Sequence, residues 1–487
     1  MQKPDNHKPK VGLLLLAADW FWQMNIQGAG GPARHSSQSD GGRYRRVPHL
    51  VEADMAALTS ALARDLELVR TGLVHNISQA KDAARKFRAA RLDLLLVSSI
   101  IWSEDQPLIQ VLEELPDVPL LVWCFAPSAT LPKRVSVVEL FRRSGAVGTA
   151  QHSAVLKRMG RTFGFVCGAP GDPAVGRTIR AYAAAARVAR SLKRVTIGLL
   201  PGHCEAMTGT FTNAARLKKL IGPVVKRISV AEYAAFVAKV PRKEAAAFAC
   251  SLRKRYPVVG VSERSLFQAA RASLGIARLA ETRRLDAIAL NDLAGELHRL
   301  VGVRPFLAVP EFFAQGRVMG LEGDVTTTMG LLIARGLSEE APMYTEIFTF
   351  DTRRNGVLAG HAGMHDLSLA ESARGIRITP DYEYCEANPL EGAWLEFRAK
   401  PGRVTLASFF SDVERFKIVI AAGRSLRGAP RLQGFAHIFV KLDTPVTDFF
   451  RQAIKTGITQ HWVITHADIR AELRSLAGIL DMDCVEI

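Results

Sequence analysis

Four short runs, far apart in the chain, each place one side chain that could bind a metal ion among small or apolar neighbours. They contain Glu322 in Gly-Leu-Glu-Gly-Asp-Val, Glu346 in Tyr-Thr-Glu, His461 in Thr-Gln-His-Trp and, as a fourth candidate, His361 in Gly-His-Ala-Gly. Two carboxylates and one imidazole suit a divalent cation such as Mn²⁺, which takes oxygen and nitrogen donors and leaves coordination positions free for a substrate. Together, these runs predict one metal centre built from distant segments.

Taken singly, each run also has an ordinary structural explanation. Glu322 and Asp324 could be acids at the start of a helix, because Asp324 is well placed to act as its N-cap. A lone glutamate such as Glu346 is usually solvated, and a lone histidine such as His461 is more often a satisfied core or surface residue. The combination of the runs favours the metal centre.

The composition is that of a soluble globular protein with several cores. The 487 residues are 48% hydrophobic and 23% charged. The longest apolar runs have the length of a strand, too short to span a bilayer, and the polar N-terminus lacks a secretory signal pattern. The six cysteines include no CxxC pair, which is typical of buried thiols in a reducing compartment. We therefore expect a cytoplasmic protein that does not interact with membranes.

The formal net charge of +17 is concentrated in one part of the chain. Residues 157–255 contain 20 Lys and Arg against 4 Asp and Glu, a surplus of 16. Such a surplus could contact nucleic acid, attract an anionic substrate, or form the solvated outer face of basic helices. Few aromatic residues are interleaved with these charges, so we interpret them as surface and do not expect nucleic-acid binding.

Apolar runs alternate with amphipathic stretches in the first two thirds of the chain. This pattern predicts parallel sheets covered on both faces. We expect an N-terminal α/β domain over residues 1–190, with a helix at residues 51–68 and a long exposed loop at residues 20–48. A central α/β domain over residues 191–344 follows, and it carries Glu322. The predicted strands are residues 11–16, 92–98, 118–125, 195–200, 285–290 and 305–309.

From about residue 345 the predicted strands are short and separated by turn residues. This indicates a β-rich, antiparallel or barrel-like C-terminal domain over residues 345–487, carrying His361 and His461. The predicted fold class is therefore two doubly wound parallel-sheet domains followed by a β-rich domain.

The four runs resemble those of the metal-dependent aldose–ketose isomerases of the L-fucose isomerase and L-arabinose isomerase superfamily. Glu322-Gly323-Asp324 is similar to the family's Glu-Gly-Asp metal run, and Glu346 follows at the separation of the second carboxylate in fucose isomerases. His361 resembles a histidine of the arabinose enzymes, and Gln460-His461-Trp462 resembles the C-terminal histidine segment. The resemblance extends from about residue 284 to the C-terminus. Many arabinose isomerases carry two adjacent histidines where this chain has Gln460-His461.

The resemblance implies a role for each candidate residue. Glu322 and Glu346 would be both metal ligands and the acid–base pair, and His461 would complete the ligand set around Mn²⁺, or Co²⁺ or Mg²⁺. The implied reaction moves a proton through an enediol. Asp324 would support the ligands from outside the coordination shell. The expected substrate-binding residues are Trp20, Gln460 and His361. Of these, His361 could instead be a fourth metal ligand.

Several functions remain open at this stage. The first is isomerisation of a pentose or 6-deoxyhexose. The alternatives are a related enzyme acting on an acidic or substituted sugar, or a sugar-binding protein of the same fold without turnover. The resemblance also implies a homo-oligomer, a hexamer or a trimer-based form, because the family builds its pockets between subunits. Trp20 follows the first strand, where large apolar residues often mark an interface or a pocket wall.

Overall fold

The computed structural model describes residues 8–19, 46–383, 392–412, 414–428 and 432–487. The chain forms two compact units that divide between residues 190 and 191. The predicted fold class is confirmed, since two parallel sheets are followed by a mixed, largely antiparallel sheet. The further boundary at residue 344 lies inside the second unit, so the three-domain division stays a prediction. Among the described residues, no helix is both long enough and apolar enough to cross a membrane.

The first unit is built on a five-stranded parallel sheet in the order β2-β1-β3-β4-β5. Its inner strands are nearly continuous apolar runs and are almost wholly buried, as expected where both faces of a parallel sheet are covered. Its elements are β1 (Lys10–Leu16), α1 (Arg46–Ala63), β2 (Glu67–Val74), α2 (Ile77–Ala90), β3 (Leu94–Ser99), α3 (Asp105–Glu113), β4 (Leu120–Phe125), α4 (Val137–Arg142), α5 (Gly145–Arg158), β5 (Gly164–Gly168) and α6 (Pro173–Leu192).

Strand β2 was not predicted from the sequence. The helix expected over residues 51–68 ends at Ala63, and β2 begins at Glu67. This strand lies at the edge of the sheet and is partly exposed along most of its length, so it lacks the apolar run that marks the inner strands. The loop predicted for residues 20–48 lies outside the described residues up to residue 45, and residues 46–48 belong to α1.

The second unit begins with a four-stranded parallel sheet in the order β7-β6-β8-β9. Helix α13, which follows this sheet, is buried on nearly all sides and packs against strands of both sheets of the unit. The elements are β6 (Thr196–Leu200), α7 (Ala214–Leu220), β7 (Val224–Arg227), α8 (Val230–Ala238), α9 (Arg242–Arg255), α10 (Glu263–Thr282), β8 (Ala287–Leu290), α11 (Gly295–Leu300), α12 (Pro310–Ala314), β9 (Val318–Leu321) and α13 (Val325–Leu337), with a 3₁₀ turn at Thr208–Thr210.

The strand predicted at residues 305–309 is wrong. These residues are buried, but the Leu307 N–H donates to Ser273 Oγ, 3.0 Å away, and the place beside β8 is taken by β9. A short buried apolar run cannot be distinguished from a strand by its hydrophobicity alone.

The rest of the second unit contains a closed barrel. Six antiparallel strands follow one another in the order β14-β17-β10-β11-β16-β15, and the pairing of β15 with β14 completes the ring. Strand β18 adds to β15 in parallel. The elements are β10 (Pro342–Asp351), β11 (Gly356–His361), β12 (Arg377–Thr379), β13 (Trp394–Glu396), β14 (Gly402–Ser411), β15 (Phe416–Ser425), β16 (Ala436–Leu442), α14 (Val446–Thr456), β17 (His461–Thr465), α15 (Arg470–Ile479) and β18 (Asp483–Glu486), with 3₁₀ turns at Leu367–Leu369 and Ala373–Gly375.

Candidate metal centre

Glu322 lies in the turn between β9 and α13, at the carboxyl end of a parallel strand, where ligands of such sheets usually bind. Its φ of 56° is left-handed, which costs a residue with a Cβ atom about 1–2 kcal/mol. The Glu322 N–H donates to Asp292 Oδ1 at 3.1 Å, and its carbonyl accepts from the Cys204 N–H at 3.3 Å. Gly323 follows with φ of 68°, and a Cβ atom there would lie 2.4 Å from the carbonyl oxygen of Gly202. The turn is therefore held from three sides.

The other three candidates come from neighbouring barrel strands. Glu346 lies in β10, His361 ends β11 and His461 begins β17. In the ladder, Glu346 lies opposite His461 on one side and opposite Gly360 on the other. The antiparallel register thus places His461 beside Glu346, and His361 directly follows the residue paired with Glu346 on the other side.

One ligating atom from each of the four side chains lies within 4.8 Å of the other three. His461 Nε2 is 2.8 Å from Glu322 Oε2 and 3.9 Å from Glu346 Oε1. His361 Nε2 is 3.7 Å from Glu322 Oε1 and 4.0 Å from Glu346 Oε2. Bonds of roughly 2.0–2.3 Å from one cation would span about these separations. The structure therefore brings all four candidate residues together.

Asp324 contacts the far side of His461. The carboxylate is fully buried, and its Oδ2 accepts from His461 Nδ1 at 2.7 Å. The same carboxylate caps α13 by accepting from the Thr327 N–H and from the hydroxyls of Thr326 and Thr327. A carboxylate on Nδ1 fixes the orientation of the imidazole and directs Nε2 towards Glu322 and Glu346.

Burial and neighbouring charges shift the protonation of three of the four groups. Burial, and then the negative charge of Glu322, raise the pKa of Glu346 to about 7. Burial alone would lower the pKa of His461, but hydrogen bonds to Asp324 and Glu322 raise it to about 9. Burial lowers the pKa of His361 to about 3. At neutral pH and without a cation, His461 is thus a protonated imidazolium that bridges the carboxylates of Asp324 and Glu322, while His361 is neutral.

The donor set fits a divalent cation. His361 Nδ1 lies 3.2 Å from the carbonyl oxygen of Ala362 and is assigned as its donor, which leaves Nε2 with a lone pair. This buried Nε2 has no hydrogen-bond partner within the described residues, although it lies at 3.7–4.0 Å from two carboxylates. A cation between these groups would satisfy Nε2 and compensate the two negative charges.

The remaining sequence candidates are Gln460 and Trp20. Gln460 Nε2 lies 3.4 Å from Glu322 Oε2 and 3.0 Å from Met207 Sδ, so its amide lies beside the four candidate ligands. Trp20 lies outside the described residues, and its predicted contact with substrate stays a prediction.

Asp292 and Tyr344 also lie beside the four candidate ligands, and neither residue was predicted to have a role. Asp292 follows β8, so its position at the carboxyl end of a parallel strand could have identified it. The ring of Tyr344 packs at 5.0 Å from that of His361 and 4.8 Å from that of His461. Its hydroxyl donates to the carbonyl oxygen of Leu321 at 3.1 Å. No sequence pattern indicates this last contact.

Comparison with known proteins gives relatives of one kind. The chain is 21% identical over 412 residues to the sulfoquinovose isomerases of Priestia aryabhattai and Priestia megaterium, covering 84% of this chain and 89% of theirs. It is also 21% identical over 401 residues to the sulfoquinovose isomerase of Alkalicoccus urumqiensis, covering 81% of this chain and 86% of that protein. No protein-family model matches the chain. The prediction of a sugar-isomerising enzyme is confirmed by these relatives.

Proposed function

We propose that the chain is a metal-dependent aldose–ketose isomerase of the L-fucose and L-arabinose isomerase superfamily, acting on an acidic or substituted sugar. The observation that carries the proposal is the convergence of two carboxylates and two imidazoles within 4.8 Å, from segments up to 139 residues apart. A sugar-binding protein without turnover would have no need of opposed carboxylates around one point.

The substrate class differs from the first expectation. A pentose or 6-deoxyhexose was expected first, with an acidic or substituted sugar as the alternative. The similarity to sulfoquinovose isomerases favours the alternative, because sulfoquinovose is a hexose with a sulfonate on carbon 6. The net charge of +17 agrees with an anionic substrate, since a positive field raises the local concentration of anions.

The two glutamates are suited to opposite proton-transfer tasks. When bound, a divalent cation polarises the substrate carbonyl and makes the adjacent C–H more acidic. Glu346, whose pKa is raised to about 7 by burial and by the charge of Glu322, can take a proton from one carbon and return it to its neighbour near neutral pH. Its side chain is 27% exposed, against 9% for Glu322, so it is the carboxylate more open to substrate. Glu322 would manage the proton on the oxygens, across a planar enediol.

The histidines hold the arrangement. His461 would bind through Nε2 once its proton has left, while its Nδ1–H remains on the Asp324 carboxylate. Neutral His361 would offer Nε2 either to the cation or to a substrate hydroxyl. The amide of Gln460, beside Glu322, would contact the substrate.

The direct test is a panel of anionic and neutral sugars incubated with Mn²⁺-loaded protein. Sulfoquinovose, a uronic acid, L-fucose and L-arabinose are each incubated with wild type and with Glu346→Gln, and interconversion is followed by chromatography. We expect turnover of the anionic sugars by wild type only. Binding of sugar by metal-free protein, with no turnover under any condition, would instead indicate the non-catalytic alternative.

We also propose that the enzyme is a homo-oligomer, a hexamer or a trimer-based form. The support is the resemblance to isomerases that build the sugar pocket between subunits. Light scattering on active protein measures this directly, and full activity in a monomer would refute it.

A further inference from the structure

A buried arginine lies behind the metal centre and binds three carboxylates from two segments, residue 292 and residues 381–383. Arg304 is 1% exposed. Its Nη1 donates to Asp292 Oδ2 at 2.8 Å, Nε donates to Asp381 Oδ2 at 2.7 Å, and Nη2 pairs with Asp381 and, at 2.7 Å, with Glu383. We call these four residues the Arg304 cluster. The planar guanidinium can bind carboxylates along two edges at once, which an ammonium group cannot do.

Aromatic rings restrain the guanidinium further. Its Cζ lies 4.6 Å from the ring centroid of Phe306 and 5.6 Å from that of Trp394. Cation–π contacts of this kind restrain the guanidinium in addition to its ion pairs. Arg304 is therefore held by carboxylates and by two aromatic rings.

One carboxylate of the cluster reaches the metal centre directly. Asp292 uses Oδ2 for Arg304 and Oδ1 for the Glu322 N–H, at 3.1 Å. Glu322 is also the residue with the left-handed φ of 56°. A chain of two hydrogen bonds thus leads from the guanidinium to the backbone that directs the Glu322 carboxylate.

The Arg304 cluster stabilises the fold only at a large cost in desolvation. Burying an ion pair carries a desolvation free energy that the attraction between the charges often does not offset, and apolar residues of similar volume are frequently as stabilising. Here one cation faces three acids, so the cluster adds negative charge beside Glu322 and Glu346. Burial alone would lower the pKa of Arg304, but the hydrogen bonds and the negative charge of Asp381 outweigh it and raise this pKa above its usual range. The arginine therefore stays charged. An arrangement that costs this much is better explained by positioning than by stability.

We propose that Arg304 is a positioning residue of the cation site, acting through Asp292 to fix the Glu322 peptide and so the direction of the Glu322 carboxylate. This inference rests on the proposed function. It predicts that loss of either hydrogen bond lets the left-handed turn relax and weakens cation binding, even though neither residue is a ligand.

The test measures Mn²⁺ affinity by calorimetry on folded protein, well below the unfolding temperature. Arg304→Lys and Asp292→Ala should each weaken binding by roughly 10–100-fold, the usual effect of removing a group that orients a ligand. Arg317→Lys is the matched control, because Arg317 is 5% exposed and its Nε donates to the carbonyl oxygen of Leu285, away from the four candidate ligands. Its affinity should match wild type.

The double variant decides whether Arg304 acts through Asp292. If it does, adding Arg304→Lys to Asp292→Ala should change the affinity by less than about twofold, because linked residues are not additive. Additive losses would overturn the route through Asp292. If Arg304→Lys does not fold, as judged by circular dichroism, Asp292→Asn decides. Asparagine keeps the acceptor for the Glu322 N–H but turns a donor towards Arg304, so a loss of affinity is expected, and wild-type affinity would overturn the role of Arg304.

Two further outcomes separate this inference from the proposed function. Wild-type affinity in folded Arg304→Lys or Asp292→Ala, with wild type binding Mn²⁺, would overturn the positioning role alone. A wild-type protein that binds no divalent cation would overturn both.

Discussion

Replacing Asp324 by Asn should separate cation binding from folding. The change preserves size and leaves Oδ1, which accepts from the Thr327 N–H at 2.9 Å, so α13 keeps its N-cap. It replaces Oδ2 by an NH₂ group facing the Nδ1–H of His461, which is 2.7 Å away. Two donors then face each other in a fully buried place. The imidazole can avoid this only by moving its proton to Nε2, the atom that would bind the cation.

The magnitude follows from the bond that is lost. A hydrogen bond to a charged group contributes about 1.5–3 kcal/mol. Since 1.4 kcal/mol is tenfold, we expect Mn²⁺ affinity to fall by about 10–150-fold. The unfolding free energy should change much less, because the cap to Thr327 remains and the Thr327 hydroxyl can rotate to accept from the new amide.

The assay is a Mn²⁺ titration followed by calorimetry, with urea unfolding of the same preparations. Asp286→Asn is the matched control, since Asp286 is also buried, accepts from the Thr196 N–H at 2.8 Å and precedes β8. Its Mn²⁺ affinity should equal that of wild type. Wild-type affinity in Asp324→Asn would refute the claim that this carboxylate sets the protonation of His461.

Three further predictions concern the acid–base pair, the pH and the turn. Glu346→Gln should lower turnover by about 10²–10⁴-fold in steady-state assays with the metal content measured, and near-normal activity would remove Glu346 from the proton transfer. Burial and charge raise the pKa of Glu346 to about 7, and hydrogen bonds overcome burial to raise that of His461 to about 9. Because both protons must leave before a cation binds, Mn²⁺ affinity should rise with pH between 7 and 9, and binding should release protons. Calorimetry in buffers of different ionisation enthalpy measures this proton release. An affinity that does not change with pH would contradict the prediction. Gly323→Ala should lower the unfolding free energy in urea by more than Gly457→Ala. Both have positive φ, but only at Gly323 would the Cβ meet backbone, 2.4 Å from Gly202 O.

The residues that could be predicted are those whose type is unusual for their setting. Glu322, Glu346 and His461 stand among small or apolar neighbours, and the strand pattern around them predicted the barrel-like region. The runs together predicted that these residues converge, but the positions of the side chains could not be obtained from local patterns, because they depend on the register of β10 with β17 and on the left-handed turn at Glu322.

What could not be predicted depends on long-range contacts. Arg304 and Asp381 are 77 residues apart and pair through a fold that neither local sequence indicates. Residues 305–309 resemble a strand because burial and strand formation select the same apolar side chains. Edge strand β2 was missed for the opposite reason, since its exposed side chains are those that a loop or helix surface would also carry.

The most direct test of the account follows hydrogen during turnover. Mn²⁺-loaded protein is incubated with sulfoquinovose in D₂O, and the product is analysed by NMR. If Glu346 removes the proton from carbon 2, exchanges it in part with solvent and returns it to carbon 1, a fraction of the ketose should carry deuterium on carbon 1. Glu346→Gln should form neither ketose nor deuterated sugar. Ketose formed by wild type and by Glu346→Gln alike, with no deuterium on carbon 1, would contradict proton transfer by Glu346 through an enediol, and no conversion of any anionic or neutral sugar would contradict the isomerase itself.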